Sequence, residues 1–225
     1  MDYLSNDQIK RKALDSLNNN WGKALAILII TWIITQSVSQ INSHITSYNV
    51  VIGNFNYYNQ KLNFIGVIQA LIAGPIIYGR TFFYLNIIRN NDGKVKDVFK
   101  GFDRLGSSLI LGLLITLFTS LWTLLLIIPG IIAAIRYSMA YYLMVDYEDL
   151  SAINAISLSS EMMKGHKTRY INLIISFIGW YLLSLVTFGI ALFYVIPYLS
   201  AAETVFYQEL ISKTDTSLIN MYIEK

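Results

Sequence analysis

Apolar positions run along this chain in long blocks rather than in short alternating strands. Between Arg104 and Arg136 lie 31 residues without a charge. As one straight helix, at about 1.5 Å per residue, they would reach roughly 46 Å, well past a hydrocarbon core of about 30 Å. The block must therefore fold back. Proline lacks an N–H and clashes with the preceding turn, and glycine accepts unusual dihedrals, so Pro129-Gly130 predicts the turn of a hairpin with arms over 105–128 and 131–149. A second block, Tyr170 to Ala202, has 33 uncharged residues and one turn-like stretch, Thr187-Phe188-Gly189, which predicts arms over 170–187 and 189–209. Upstream, 22–41 and 63–88 are apolar and long enough to cross, with a polar stretch 42–62 between them. The pattern predicts an all-α polytopic membrane protein, a single membrane domain over 1–225 with six transmembrane helices in three hairpins.

Each hairpin is preceded by an amphipathic segment. The first opens with Ser5-x-x-Gln8, a capping-box pattern, and sets Ile9, Ala13, Leu17 and Trp21 on one helical face. The second spaces Val95, Val98, Phe99 and Phe102 in the same way, and the third spaces Ile153, Ile156, Ser160 and Met163. Each ends near a glycine, Gly22, Gly101 or Gly165, where a helix lying at the interface could turn into the bilayer. The only prolines, Pro75, Pro129 and Pro197, fall in or at the start of the second arm of each hairpin as expected helix breaks. An ionisable residue follows each: Arg80, Arg136 and Glu203. These features suggest three units, 1–89, 90–150 and 151–211. Any protein with hairpins entering from the cytoplasm would also place basic residues before its odd-numbered arms, so the pattern does not by itself establish duplication.

Composition agrees with a lipid environment: 55% of residues are hydrophobic and 14% charged, against roughly 25% charged in soluble domains. There is no cysteine, which excludes a disulfide scaffold and a thiolate metal site. Lys and Arg decide orientation because they stay on the cytoplasmic side. Fourteen of the seventeen fall before the first arm, between hairpins or at the C-terminal end; Lys61 lies opposite, and Arg80 and Arg136 lie inside arms. Both termini are expected to be cytoplasmic. The charged start lacks the features of a secretory signal peptide, so the first helix is expected to stay attached.

Charges are costly inside a bilayer, so Arg80, Arg136 and Glu203 are the candidate intramembrane polar cluster. At similar distances past their prolines they could share one depth, where the surplus positive charge would suit an anionic group of a substrate or lipid. The structural alternative has Arg80 snorkelling to the interface and Arg136 paired with Glu203. Gly66, Ala70 and Gly74, with Ser108 and Gly112, form small-residue faces suited to close helix packing. Tyrosines such as Tyr137, Tyr141, Tyr142, Tyr198 and Tyr207 suit interface anchoring. The basic residues Lys94, Lys96, Lys100, Lys164 and Lys167 would attract anionic lipid, although ordinary topology explains them equally well. His44 and His166 stand alone, and no reaction motif or phosphate loop occurs. The expectation is no enzyme, no cofactor and no nucleic-acid partner.

Several stretches together resemble a known family: Asn20-Trp21-Gly22-Lys23-Ala24, Leu125 to Ile131 around Pro129-Gly130, Tyr137-Ser138-Met139, Ser160 to Lys167, Phe177-Ile178-Gly179-Trp180 and Ile196-Pro197-Tyr198-Leu199. They are similar to the bacterial integral membrane proteins grouped as domain of unknown function 975. The resemblance covers nearly the whole chain. It implies a multi-pass bacterial plasma-membrane protein and supplies no activity, cofactor or catalytic residue. Two functions follow as expectations: an accessory or interaction protein of the cell envelope working with a membrane-protein partner, or a small transporter or lipid-binding protein using Arg80, Arg136 and Glu203.

Overall fold

A computed structural model describes residues 3–46, 64–90 and 92–224. Every regular element among the described residues is helical. α1 (Asn6–Leu17) starts where the sequence says it should: Ser5 Oγ accepts from Gln8 N at 3.3 Å and Gln8 Oε1 accepts from Ser5 N at 2.9 Å, closing the capping box. Its apolar face, Ile9, Ala13 and Leu17, is fully buried. α1 runs antiparallel along α11 (Leu192–Ser212), because the Leu4 backbone meets Glu209 while Trp21 stacks on Tyr194 at 4.8 Å.

α2 (Trp21–Thr46) and α3 (Phe64–Asn90) form the first pair of long helices. A 3-10 turn at Val95–Phe99 and the short α4 (Lys100–Asp103) fold back against α3. There Gly101 lies so close to the Pro75 carbonyl that any Cβ would collide with it. α5 (Leu105–Leu125) is followed by α6 (Ile127–Tyr137), α7 (Ala140–Asp146) and α8 (Ala152–Met162). α9 (Lys167–Ile175), α10 (Ile178–Val186), α11 and α12 (Thr216–Ile223) complete the chain. The core gathers the α1 face, Phe83 and Leu85 of α3, Met139 and Leu143, the inner face of α8, and Phe206 and Tyr207 of α11.

Four helical stretches are long and apolar enough to cross a membrane: 71–90, 105–125, 127–146 and 167–186. The expected arm 189–209 is not among them. Its helix starts at Leu192, carries Glu203 and Glu209, and buries most of its lower half in protein. In the expected arm 22–41, the described apolar part runs over Trp21–Ile34. Much of the polar stretch 42–62, and the side chains of His44, Gly66 and Ala70, lie outside the described residues.

The prolines act differently from the helix breaks expected of them. The hairpin turns at Leu126, extended at φ −161° and ψ 144°, three residues before Pro129. Pro129 and Gly130 sit in the first turn of α6, where a missing N–H costs nothing because that donor has no helical partner. Pro75 and Pro197 lie inside continuous helices. The breaks come elsewhere, at Ser138-Met139 and Ser176-Phe177. Three positions of the expected amphipathic faces, Phe99, Phe102 and Ile153, are exposed, whereas Val98, Ile156, Ser160 and Met163 are buried. Of the three glycines, only Gly165 takes a positive φ, 77°, to turn the chain.

Candidate functional site

Polar side chains gather at two levels. At the charged end, Asp146 at the end of α7 receives both terminal nitrogens of Arg89, each at 2.7 Å, and the Tyr207 hydroxyl, also at 2.7 Å. Such a bidentate pair fixes direction as well as distance. Beside it the buried Glu209 accepts from the Leu4 backbone N–H, from Arg169 at 2.8 Å and from Lys213 at 3.3 Å. The Tyr3 ring lies against both cations, 4.1 Å from the Arg169 guanidinium carbon and 3.8 Å from Lys213 Nζ, a double cation–π contact. Tyr3 also reaches His166 Nε2 at 3.3 Å. Burial, followed by the charge of Arg169, holds the His166 imidazole below its usual range. Between these groups opens a groove of about 610 Å³ lined by Lys12, Arg89, Gln208, Glu209, Ser212 and Lys213.

Deeper inside, no ion pair joins the three predicted charges. Glu203 accepts a 2.7 Å hydrogen bond from the Tyr170 hydroxyl. Arg80 is partly exposed and makes no ion pair within 4 Å among the described residues. Arg136 belongs to another contact: its Nε donates to Ser160 Oγ at 2.8 Å, and Ser159 Oγ donates to the Arg136 carbonyl at 2.7 Å. Sequence spacing put three charges at one depth, but Ser160 of α8 occupies Arg136.

A small cavity of about 130 Å³ lies where α3, α5 and α7 meet, lined by Gly74, Gly112 and Tyr141 among others. Gly74 and Gly112, two of the predicted small residues, let these helices approach. The Tyr141 hydroxyl has no hydrogen-bond partner there, and the residue is only 8% exposed.

The basic interfacial residues are dispersed. Lys94 pairs with Asp92 at 3.8 Å, Lys100 with Asp103 at 3.2 Å and Lys164 with Glu161, while Lys96 is exposed and Lys167 opens α9. Reasoning from sequence missed Asp146, Glu209 and Arg169. All three look like ordinary charges near helix ends, and only tertiary contact joins Arg89 to a carboxylate 57 residues away.

The chain matches the family described as protein of unknown function DUF975 over residues 1–135 and 123–214, almost its whole length. It belongs to that family. No curated protein and no solved structure matches it. In this DUF975 chain, the described residues hold no group of three or more His, Asp or Glu placed to bind a metal ion.

Proposed function

We propose that this DUF975 protein is an integral protein of a bacterial plasma membrane. Its three hairpins, from units 1–89, 90–150 and 151–211, enter from the cytoplasmic side, where both termini stay. It serves as a non-enzymatic accessory or interaction protein of the cell envelope, and Lys94, Lys96, Lys100, Lys164 and Lys167 face anionic lipid headgroups. The observation that carries this reading is the outer face of α5. Only 11% of that helix's most apolar window is buried, and Leu113, Leu117, Leu121 and Leu125 stand exposed at helical spacing. Such a stripe rests on lipid or on the helix of a membrane partner. Photo-crosslinkers at Leu117 and Leu121 in living cells are expected to trap one discrete protein partner. Adducts with lipid alone would overturn the accessory role.

One observation favours a second reading, in which the protein binds an anionic lipid or small anion. Arg80 is partly exposed and, among the described residues, has no ion pair. Under this reading, native mass spectrometry in mild detergent finds an anionic ligand on the wild type that Arg80→Gln loses while remaining folded. Arg136→Leu, whose partner is Ser160, keeps the ligand.

A further inference from the structure

Two of the candidate crossing helices are interrupted halfway, and both interruptions lie beside charge. In the stretch 127–146 the break is at Ser138-Met139. Just before it, Arg136 is held by Ser160, whose neighbour Glu161 pairs with Lys164. In the stretch 167–186 the break is at Ser176-Phe177, and Lys10 of α1 donates to the Ser176 carbonyl at 2.9 Å. α1 exposes Asp7, Arg11, Lys12 and Asp15 on its outer side. Neither neighbourhood can sit in hydrocarbon without a large desolvation cost. An aromatic group lies close to the second break: Tyr194 stacks on Trp21 at 4.8 Å and contacts Trp180 at 5.2 Å, the pairing of ring types that marks a membrane–water boundary.

Beyond these levels little chain remains. α6 has 11 residues and α10 has 9, so these two arms extend about 16 Å and about 14 Å further, close to half of a core of about 30 Å, a depth that takes only the last half of the 21-residue α5.

The tips themselves lack what water requires. Leu124, at 87% exposed, stands in an unbroken exposed run from Ser120 through Ile128. At the other tip Leu185, Val186, Phe188 and Ile190 are exposed, Phe188 at 98%. No charged or amide side chain lies within 120–128 or 185–190, and the one boundary-type ring there, Trp122, precedes the turn at Leu126 by four residues. The backbone donors at the second tip find partners within the turn: Gly189 N–H bonds the Ser184 carbonyl at 2.7 Å, Ile190 N–H the Thr187 carbonyl at 3.1 Å, and Ala191 N–H the Thr187 side-chain Oγ1 at 3.1 Å. A turn in lipid must satisfy its groups internally in this way, whereas a turn in water need not. At the first tip Leu126 N–H bonds the Trp122 carbonyl at 3.1 Å, and Pro129 removes one of the donors that the start of α6 would leave open.

We propose that the hairpins α5–α6 and α10–α11 end within the hydrocarbon near the bilayer midplane, entering and leaving by the same face. Their occupant is acyl chain, and they form an apolar wedge in one leaflet. This rests on the membrane reading above and replaces four of the six crossings expected from sequence by two half-depth hairpins. A wedge of this kind expands one leaflet relative to the other.

The native chain has no cysteine, so single Leu126→Cys, Phe188→Cys and Lys96→Cys variants test it. In intact cells none of the three is expected to react with a membrane-impermeant maleimide. In inside-out vesicles only Lys96→Cys should react. Bimane attached at 126 or 188 after denaturation, with the protein then refolded into phosphatidylcholine–phosphatidylglycerol vesicles, should be quenched more by nitroxide near the acyl methyl end than by nitroxide near the glycerol end. Labelling of either tip from outside, or stronger quenching near the glycerol end, overturns the wedge. Absence of quenching by both probes, as when protein covers the tips, overturns it too. Outside labelling of Lys96→Cys would overturn the orientation instead, leaving the depth to the quenching data.

Discussion

At the scale of single residues, several polar groups of this protein are committed to specific neighbours. Glu203 has Tyr170, Arg136 has Ser160, and Glu209 has two cations and a backbone N–H. Close packing is equally specific. Gly101→Ala would drive a methyl into the Pro75 carbonyl and is expected to cost roughly 1–3 kcal/mol. Gly106→Ala, which meets open space in a helix, is expected to gain up to about 1 kcal/mol. Thermal melts of the two variants in detergent check the contrast. His166 supplies a pH response. Because its folded-state pKa is depressed, the unfolded chain takes up the proton first, so its contribution is complete above the unfolded value of about 6.5 and is lost as pH falls below that. The wild type is expected to lose melting temperature on acidification through this window more steeply than His166→Gln; parallel curves would refute the assignment.

At the scale of elements, local signals and tertiary contacts divide the work. α1 begins at its capping box, and Ser5→Ala is expected to cost about 1 kcal/mol, measured as a drop in midpoint on chemical unfolding. That the start and its buried face were legible in the sequence follows from physics acting within a few residues. The hairpin turn was legible only to within three residues. Pro129-Gly130 marks the neighbourhood, but proline fits a first helical turn as well as a connection, and Leu126 takes the extended conformation. The breaks at Ser138 and Ser176 carry no strong local mark. They fall where α8 and α1 bring Ser160 and Lys10 against the backbone or its neighbour.

At the scale of the molecule, one contact ties together the three chain segments proposed as units. Arg89 from the first, Asp146 from the second and Tyr207 from the third meet within hydrogen-bonding distance at the charged end. Asp146→Asn removes the charge opposite Arg89, which is 37% exposed, and is expected to cost about 1 kcal/mol. Arg89→Leu combined with Asp146→Leu is expected to cost less than the sum of the two single changes. A thermal-melt double-mutant cycle reads that coupling, and strict additivity would mean the pair holds nothing together.

Hydrophobic block length, the scarcity of charge and the capping box determined from sequence alone that this chain is helical, that several of its helices are apolar enough for a membrane, and where its first helix begins. Each of these depends on residues near one another along the chain or on totals over it. The fate of the buried charges depended on contacts between residues far apart in sequence. Only the folded structure separated Arg136 from Glu203, joined Arg89 to Asp146 and set Lys10 beside the middle of an apolar stretch, because a charge takes whatever partner packing brings within about 3 Å.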